Sequence, residues 1–380
     1  MSFADIFDEH RRYWADTVRV EAYTQALRQV IKPGMSVVDL GCGTGLLGLL
    51  ACKAGATKVY GIEATPLIDT ASALFKANGF GERFVPMQGW SNQIELPERC
   101  DAVIADQLGP LGLEAGILEA FEDAKRRLLK PGGVLVPQQL SLYFAPVEVP
   151  NEYTAFERWK TPLHGLKSDA VFEKAVNHFG PVQVEDTELR GTPVKAATID
   201  LRTSTPESIA LKGTWSFGKP ATIHGIVAWF EAELAPGISI TNSPLAEHPL
   251  NRDQAFFPFE QMLELPAHSE LSFELQAIPA AQLYSWTTTV AISCPTEKRF
   301  MQSTFKGLLT SEVWLKRTMP HTKPSLSTHG AAVQTILSLC DGNRSVSEIE
   351  KLTYEKHRQQ FSTPEQAAVA VAEVLRTHGR

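Results

Sequence analysis

The stretch VVDLGCGTGLLGLLACKAGATKVYGIEAT, residues 37–65, constrains this chain more than any other. A short apolar run, SVVDL, carries the acid Asp39, and Gly41, Gly43 and Gly45 follow at alternate positions. An apolar helical run, LLGLLACKAG, then leads to a second strand, KVYGIE, that closes on Glu63. Glycines there let the backbone turn sharply and leave it bare of Cβ atoms. Strand, helix, strand in that order means parallel pairing with a crossover helix. The rhythm continues to residue 137 through the strands RFVPMQ, DAVIAD and GVLVP and the helices PLIDTASALFKANG and AGILEAFEDAKRRLL. The strands are short and almost wholly apolar, as expected when both faces are covered. Upstream, DEHRRYWADTVRVEAYTQALRQVI has apolar residues near helical spacing, and Pro33-Gly34 ends it.

The loop also limits the ligand. The helix after Gly45 presents its first N–H groups to the same place. A dinucleotide site would spread its glycines as G-x-G-x-x-G to seat a pyrophosphate. Here the pattern is D-x-G-x-G-x-G, and a carboxylate at its head disfavours phosphate and favours a positive amino group. Glu63, at the end of the second strand, can accept both hydroxyls of a ribose. S-adenosylmethionine has the ribose and the amino acid and lacks phosphate, so it satisfies the pattern. The plain alternative is a sharp turn with incidental acids.

After residue 137 the texture changes. LSLYFAPVEV, VKAATIDLRT, TIHGIVAWFEAEL, ELSFELQAI and WTTTVAISC alternate between turn residues, which predicts an antiparallel β-domain, sandwich or barrel, over 138–322. A charged, more helical piece interrupts it near 151–180. HTKPSLSTHG reads as a linker, and within a last domain over 323–380 residues 331–380 are helical: AAVQTILSLCDGN, VSEIEKLTYEKH and PEQAAVAVAEVLRT.

Composition removes other classes. A formal net charge of -7 argues against a general nucleic-acid binder. The five cysteines, Cys42, Cys52, Cys100, Cys294 and Cys340, include no pair at zinc-site spacing, so no metal is expected and a reduced, cytoplasmic setting fits. The chain is charged from its start, with no signal-like run and no stretch of ~18 apolar residues to span a membrane.

Several pieces in order resemble the protein arginine methyltransferases, from about residue 10 to about 279. They are HRRYWADTVRVEAY, GCGTGLLGLLACKAGATKVYGIEA, QGWSNQIELPERCDAVIAD, LLKPGGVLVP, WKTPLHGLKSD, HGIVAWFEAEL and ITNSPLAEHPLNRDQAFFPFEQ. The resemblance implies a Rossmann-like class I methyltransferase domain over 1–137, a β-barrel substrate domain over 138–322, and a homodimer formed through an arm near 151–180. It implies that Arg19 binds the carboxylate of the cofactor S-adenosyl-L-methionine. Asp39, the three glycines, Glu63 and Ala64 would hold the rest, with adenine near Gln88, Gly89, Ser91 and Asn92.

Two departures concern the methyl acceptor. The family flanks its target guanidinium with two glutamates; in ADQLGPLGLEAG, Asp106 takes the first place, and Glu114 takes the second if one loop residue is missing. Asp106 would thus face both cofactor and acceptor. The family's Thr-His-Trp loop reads Leu250-Asn251-Arg252 here, although Gln254 just after it matches. Guanidinium is always charged and presents a flat fork of donors, which paired carboxylates hold and orient. Arg252, if it points inward, would repel a guanidinium and attract a carboxylate, suiting a free amino acid or a C-terminal residue. Plainer roles are a strand-end acid for Asp106, a helix-start acid for Glu114, and a solvated loop for Asn251 and Arg252.

ILSLCDGNRSVSEIEKLTYEKH with PEQAAVAVAEVL resembles the small winged-helix domain of the peptide-chaperone (PqqD-like) family. That resemblance implies binding of a leader peptide or partner protein by strand addition to a sheet edge; a structural cap is the plain alternative. The expected function is S-adenosylmethionine-dependent methylation of a guanidino nitrogen, in a peptide, a protein or a small molecule of natural-product metabolism. The alternatives are a scaffold of the same fold without transfer, or transfer to oxygen or carbon.

Overall fold

The computed structural model describes residues 3–203, 207–293 and 296–379. Cys294 lies outside them. The chain divides into two units, Met1–Leu308 and Leu309–Arg380.

Two helices open the first unit, α1 (Phe3–Ala15) and α2 (Thr17–Val30). Asp16 separates and caps them: its side chain accepts the Arg19 N–H at 3.0 Å. The buried stripe of α2 is Arg19, Tyr23, Ala26 and Leu27, at one-turn spacing, so an arginine is turned inward with the apolar face.

A parallel sheet follows. It comprises β1 (Ser36–Leu40), β2 (Lys58–Glu63), β3 (Phe84–Gln88), β4 (Cys100–Ala105) and β5 (Leu129–Val136), in the order β3-β2-β1-β4-β5. The crossover helices are α3 (Leu46–Ala54), α4 (Leu67–Ala77) and α5 (Ile117–Arg127). Every residue of β1 is buried, as both-face coverage requires. The order reverses at β1, so the ends of β1, β2 and β4 open on one crevice, where ligands of such sheets bind.

The rest of the unit is antiparallel. β6 (Gln139–Val147) leads to α6 (Pro150–Glu157), α7 (Asp169–Ala175), β7 (Gly180–Val182), β8 (Val194–Asp200) and β9 (Ile209–Phe217). Then come β10 (Ala221–Ala235), β11 (Ile238–Thr241), β12 (Gln254–Leu265), β13 (Ser269–Ile278), β14 (Leu283–Ser293), β15 (Thr296–Ser303) and the single turn α8 (Thr304–Gly307). One sheet runs β7-β12-β10-β6-β8, with β11 on β10; the other runs β15-β14-β13-β9. Their inner faces meet through aromatic rings: Phe273 lies edge-on to Phe144 at 5.2 Å and to Phe257 at 5.6 Å, and Phe257 meets Trp286 at 5.2 Å. β9 alternates buried and exposed along its length, so that sheet keeps an open face.

The second unit holds α9 (Glu312–Thr318), α10 (Thr328–Leu339), α11 (Val346–Lys356) and α12 (Pro364–His378). Ile336, Ile349, Val371 and Val374 form its core. Ser345 and Glu348 form a reciprocal capping box on α11. The helices expected from sequence are present, and α9 adds one inside the segment read as β-domain. Among the described residues this unit contains no strand. The wing of the PqqD-like resemblance is therefore not seen, and strand addition has no edge to use here. Among the described residues no helix is long and apolar enough to cross a membrane, and no group of three His, Cys, Asp or Glu could hold a metal ion.

Candidate active site

The glycine loop leaves β1 with Gly41, Gly43 and Gly45 all at positive φ (62°, 53° and 81°), a region open to glycine and strained for other residues. The bare side of Gly43 is used: a Cβ there would lie 2.1 Å from Cε1 of His10, on α1. Two acids brace the loop. Asp39 Oδ2 accepts the Gly48 N–H at 2.8 Å. Glu63 accepts Gly43 N–H at 3.0 Å through Oε2 and Thr65 N–H at 2.8 Å through Oε1. Each carboxylate oxygen retains a lone pair for a further donor. Burial pushes the Asp39 carboxyl up to about 7, against the pull of the Gly48 N–H and of Arg19.

A cavity of about 60 Å³ lies between the loop and α1, lined by His10, Tyr13, Trp14, Arg19, Asp39 and Asp106 among others. Trp14 Nε1 donates to Thr44 Oγ1 at 2.9 Å and ties α1 to the loop. That space suits a few waters.

Arg19 Nε donates to Asp106 Oδ2 at 2.5 Å, both side chains nearly wholly buried. Its Cζ lies 4.9 Å from the Tyr13 ring centroid and 5.5 Å from that of Tyr23. The Tyr23 hydroxyl donates to Ala105 O at 3.0 Å and fixes the end of β4, where Asp106 begins the loop. On the far side, Arg252 places Nη2 3.3 Å from Asp106 Oδ2, and its Nη1 donates to Leu108 O. One carboxylate thus stands between two guanidinium groups.

Beyond Asp106 a second cleft opens, about 670 Å³, lined by Glu9, Arg12, Tyr13, Asp106, Arg252 and Asp253 among others. Glu114 is not in its wall. The turn Gly109-Pro110-Leu111-Gly112 closes with Gly112 N–H on Gly109 O at 2.9 Å. Glu114 folds into that turn, its oxygens accepting the N–H groups of Leu111 at 2.8 Å and Leu113 at 2.9 Å. Burial raises its pKa, opposed by those N–H groups.

Other residues proposed from sequence fall as follows. Gln88 pairs with Glu63 in the sheet register, and Gly89 N–H reaches Glu63 O at 3.0 Å, so these two lie beside Glu63; none of Gln88, Gly89, Ser91 and Asn92 lines the cavity under α1. Ala64 is half-buried beside them. Asn251 lines the second cleft, and its N–H donates to Asp16 Oδ2 at 3.0 Å. Sequence reasoning did not find Asn242. It is fully buried, donates to Pro110 O at 2.8 Å and Asp253 O at 2.7 Å, and accepts Phe230 N–H at 3.0 Å. It ties the Asp106 loop to the Arg252 loop. Gln254 Nε2 donates to Asn242 O at 2.7 Å and completes the network.

Fold and site together define a Rossmann-like methyltransferase with an appended antiparallel β-domain. Residues 21–138 match the family described as ribosomal protein L11 methyltransferase (PrmA), and residues 138–289 match the arginine methyltransferase oligomerization subdomain. The chain is 31% identical over 245 residues to protein arginine N-methyltransferase 6 of Danio rerio, covering 60% of this chain and 69% of that protein. It is 26% identical over 291 residues to the Xenopus laevis protein of the same name, covering 71% and 84%. Against the probable protein arginine N-methyltransferase 6 of Arabidopsis thaliana, 29% identical over 236 residues, it covers 60% of this chain and 54% of the relative. In structure it is similar to the Trypanosoma brucei PRMT1 enzyme–prozyme heterotetrameric complex with AdoHcy, with a TM-score of 0.70 at 19% identity, covering 77% of this chain and 97% of that one. Arabidopsis thaliana protein arginine methyltransferase 10 gives 0.65 at 22% identity, covering 77% and 96%. The chain belongs to the protein arginine N-methyltransferase family.

Proposed function

We propose that this chain transfers a methyl group from S-adenosylmethionine to a guanidino nitrogen of an arginine-type acceptor. The observation that carries this is the pair of acids, Asp39 and Glu63, that brace the loop of Gly41, Gly43 and Gly45 through its N–H groups, with Asp39 and Arg19 lining one cavity. The donor set fits the cofactor. Asp39 offers a carboxylate to an ammonium, Arg19 a cation to a carboxylate, and Glu63 spare lone pairs to ribose hydroxyls. The acidic head of the loop suits a dinucleotide phosphate poorly.

Bound there, S-adenosylmethionine supplies an electrophilic methyl group on a sulfonium. Asp106 stands between that cavity and the second cleft, lining both. It is the carboxylate that meets the acceptor and turns one nitrogen toward the cofactor side, and positioning of this kind supplies much of the rate in such a transfer. Glu114 is a positioning residue: it holds the 109–113 turn through two backbone N–H groups and so fixes the path from Asp106 to α5. The protein works as a dimer, through the segment bearing the exposed Leu163 and Leu166. The setting is a reducing, cytoplasmic one, consistent with Cys42, Cys52 and Cys100 as buried free thiols. The C-terminal helical unit is assigned a leader peptide or partner protein, with a structural cap as the plain alternative.

Calorimetry tests the cofactor half of this reading. S-adenosylhomocysteine should bind with one site per chain, and NAD should give no heat; the reverse result removes the reading. One observation favours a second reading, a scaffold without transfer: Asp106 is already engaged by two arginines and Glu114 by its own loop. Tight cofactor binding with no label passed to any acceptor is its signature.

A further inference from the structure

We propose that the acceptor brings a free α-carboxylate and that Arg252 receives it; this rests on the reading above and names the substrate class for that same site. At the inner end of the cleft, Arg19 and Arg252 share the single carboxylate of Asp106, at 2.5 Å and 3.3 Å. Arg252 is mostly buried, with its side chain 12% exposed, and lies near the Tyr13 and Phe230 rings at 5.9 Å and 6.0 Å. Both guanidinium groups stay charged at any working pH. Among the described residues Asp106 is the only carboxylate in ion-pair contact with either guanidinium, so two cations bear directly on one anion in a mostly buried place.

Glu114 acts on Arg252 only at a distance, because its carboxylate is turned onto the N–H groups of Leu111 and Leu113 and is absent from the cleft wall. An acceptor bringing only a guanidinium would add a third cation. A chain-terminal arginine, with its carboxylate, adds none overall, and free arginine adds only its ammonium, for which Asp253 stands in the cleft wall. The acceptor's carboxylate has a partner in Arg252, whose Nε makes no hydrogen bond among the described residues. A planar fork facing a carboxylate is the strong, directional pairing of this type. Drawn toward that carboxylate, Arg252 leaves Asp106 free for the acceptor's guanidinium. A cleft of about 670 Å³ has room for a whole amino acid.

The other charged groups lining the cleft agree. The Glu9 carboxylate accepts the Tyr13 hydroxyl at 2.6 Å, and Arg11 pairs with Asp8 at 3.3 Å. Arg12 and Asp253 have no ion pair among the described residues. Arg12 adds a second cation for an acid, and Asp253 leaves an acid for an ammonium. Both free arginine and a peptide ending in arginine carry the recognised carboxylate.

The test is binding to the full chain saturated with S-adenosylhomocysteine. Arginine is compared with argininamide, and a short peptide ending in arginine with its C-terminal amide. Wild type should favour the acid over the amide at least tenfold in one of these pairs, and which pair does so separates a free amino acid from a chain terminus. Arg252→Gln should bring acid and amide to within twofold, while Arg252→Lys keeps part of the preference. Cofactor affinity and the thermal midpoint of each variant establish that it is folded. Equal binding of acid and amide by wild type, an unchanged ratio in Arg252→Gln, or no binding of any of the four overturns the proposal. Failure of methyl transfer with the acid preference intact would instead count against the activity proposed above.

Discussion

At the scale of single residues, Asp39 separates stability from ligand binding. Its folded pKa is raised to about 7 by burial, well above the unfolded carboxylate value. A raised pKa contributes stability that is fully present below the unfolded value, about 4, and is lost as pH rises through about 7. Asp39→Asn removes that loss. The variant should be no less stable than wild type at pH 8 in urea, with a flatter stability profile between pH 4 and 7, yet bind S-adenosylhomocysteine at least tenfold more weakly. A parallel loss of both would show that Asp39 only braces the loop through Gly48. Asp106→Asn strands two buried arginines and should cost about 3–5 kcal/mol, with methyl transfer abolished. Glu114→Gln keeps one of two acceptor oxygens and should cost about 1–2 kcal/mol, with kcat lowered more than KM if the turn sets the position of Asp106. Asp39, the glycines and Glu63 were legible in sequence because the chain brings them together within one strand–helix–strand unit. Which way Glu114 points was not legible. It depends on a turn in which Gly112 sits at φ 90° and in which a Cβ on Gly109 would lie 2.6 Å from Glu114 Oε2.

At the scale of elements, α1 and the Asn242 network govern the site. α1 covers the glycine loop through His10 and Trp14, so ligand binding at the loop should change its exposure. Its backbone should be cut by protease at a different rate with S-adenosylhomocysteine present than without; identical cleavage would mean that the helix has no part in binding. Asn242→Ala leaves Pro110 O, Asp253 O and Phe230 N–H without a partner in a buried place. A loss of about 3 kcal/mol is expected, with acceptor affinity falling more than cofactor affinity, because the network joins the two loops at the second cleft. The strands and helices were read well from apolar runs and alternation. The α1–α2 corner was not, since one continuous helical pattern hides the cap at Asp16. Asn242 was invisible because nothing local marks a buried asparagine whose partners lie 11 to 132 residues away.

At the scale of the whole molecule, the chain is two units, each with its own core. A chain ending at residue 308 should bind S-adenosylhomocysteine within twofold of the full chain, and a larger loss would make the helical unit part of the site. Leu163 and Leu166 are 69% and 72% exposed on the segment between α6 and α7. If that segment docks on a second copy, sedimentation should give a dimer, and replacing both leucines by aspartate should give a monomer. Domain texture was legible because alternation, crossover rhythm and helical periodicity differ so plainly along the chain. The residues alone left sandwich or barrel open and the family resemblance implied a barrel; the pairing of distant strands gives two antiparallel sheets. In the proposed reaction a methyl group leaves this pocket for an acceptor nitrogen held at Asp106. Incubating the full chain with methyl-labelled S-adenosylmethionine, arginine and arginine peptides tests it most directly. Label on a guanidino nitrogen, absent with Asp106→Asn, is the result expected here; bound cofactor with no label on any acceptor would contradict it.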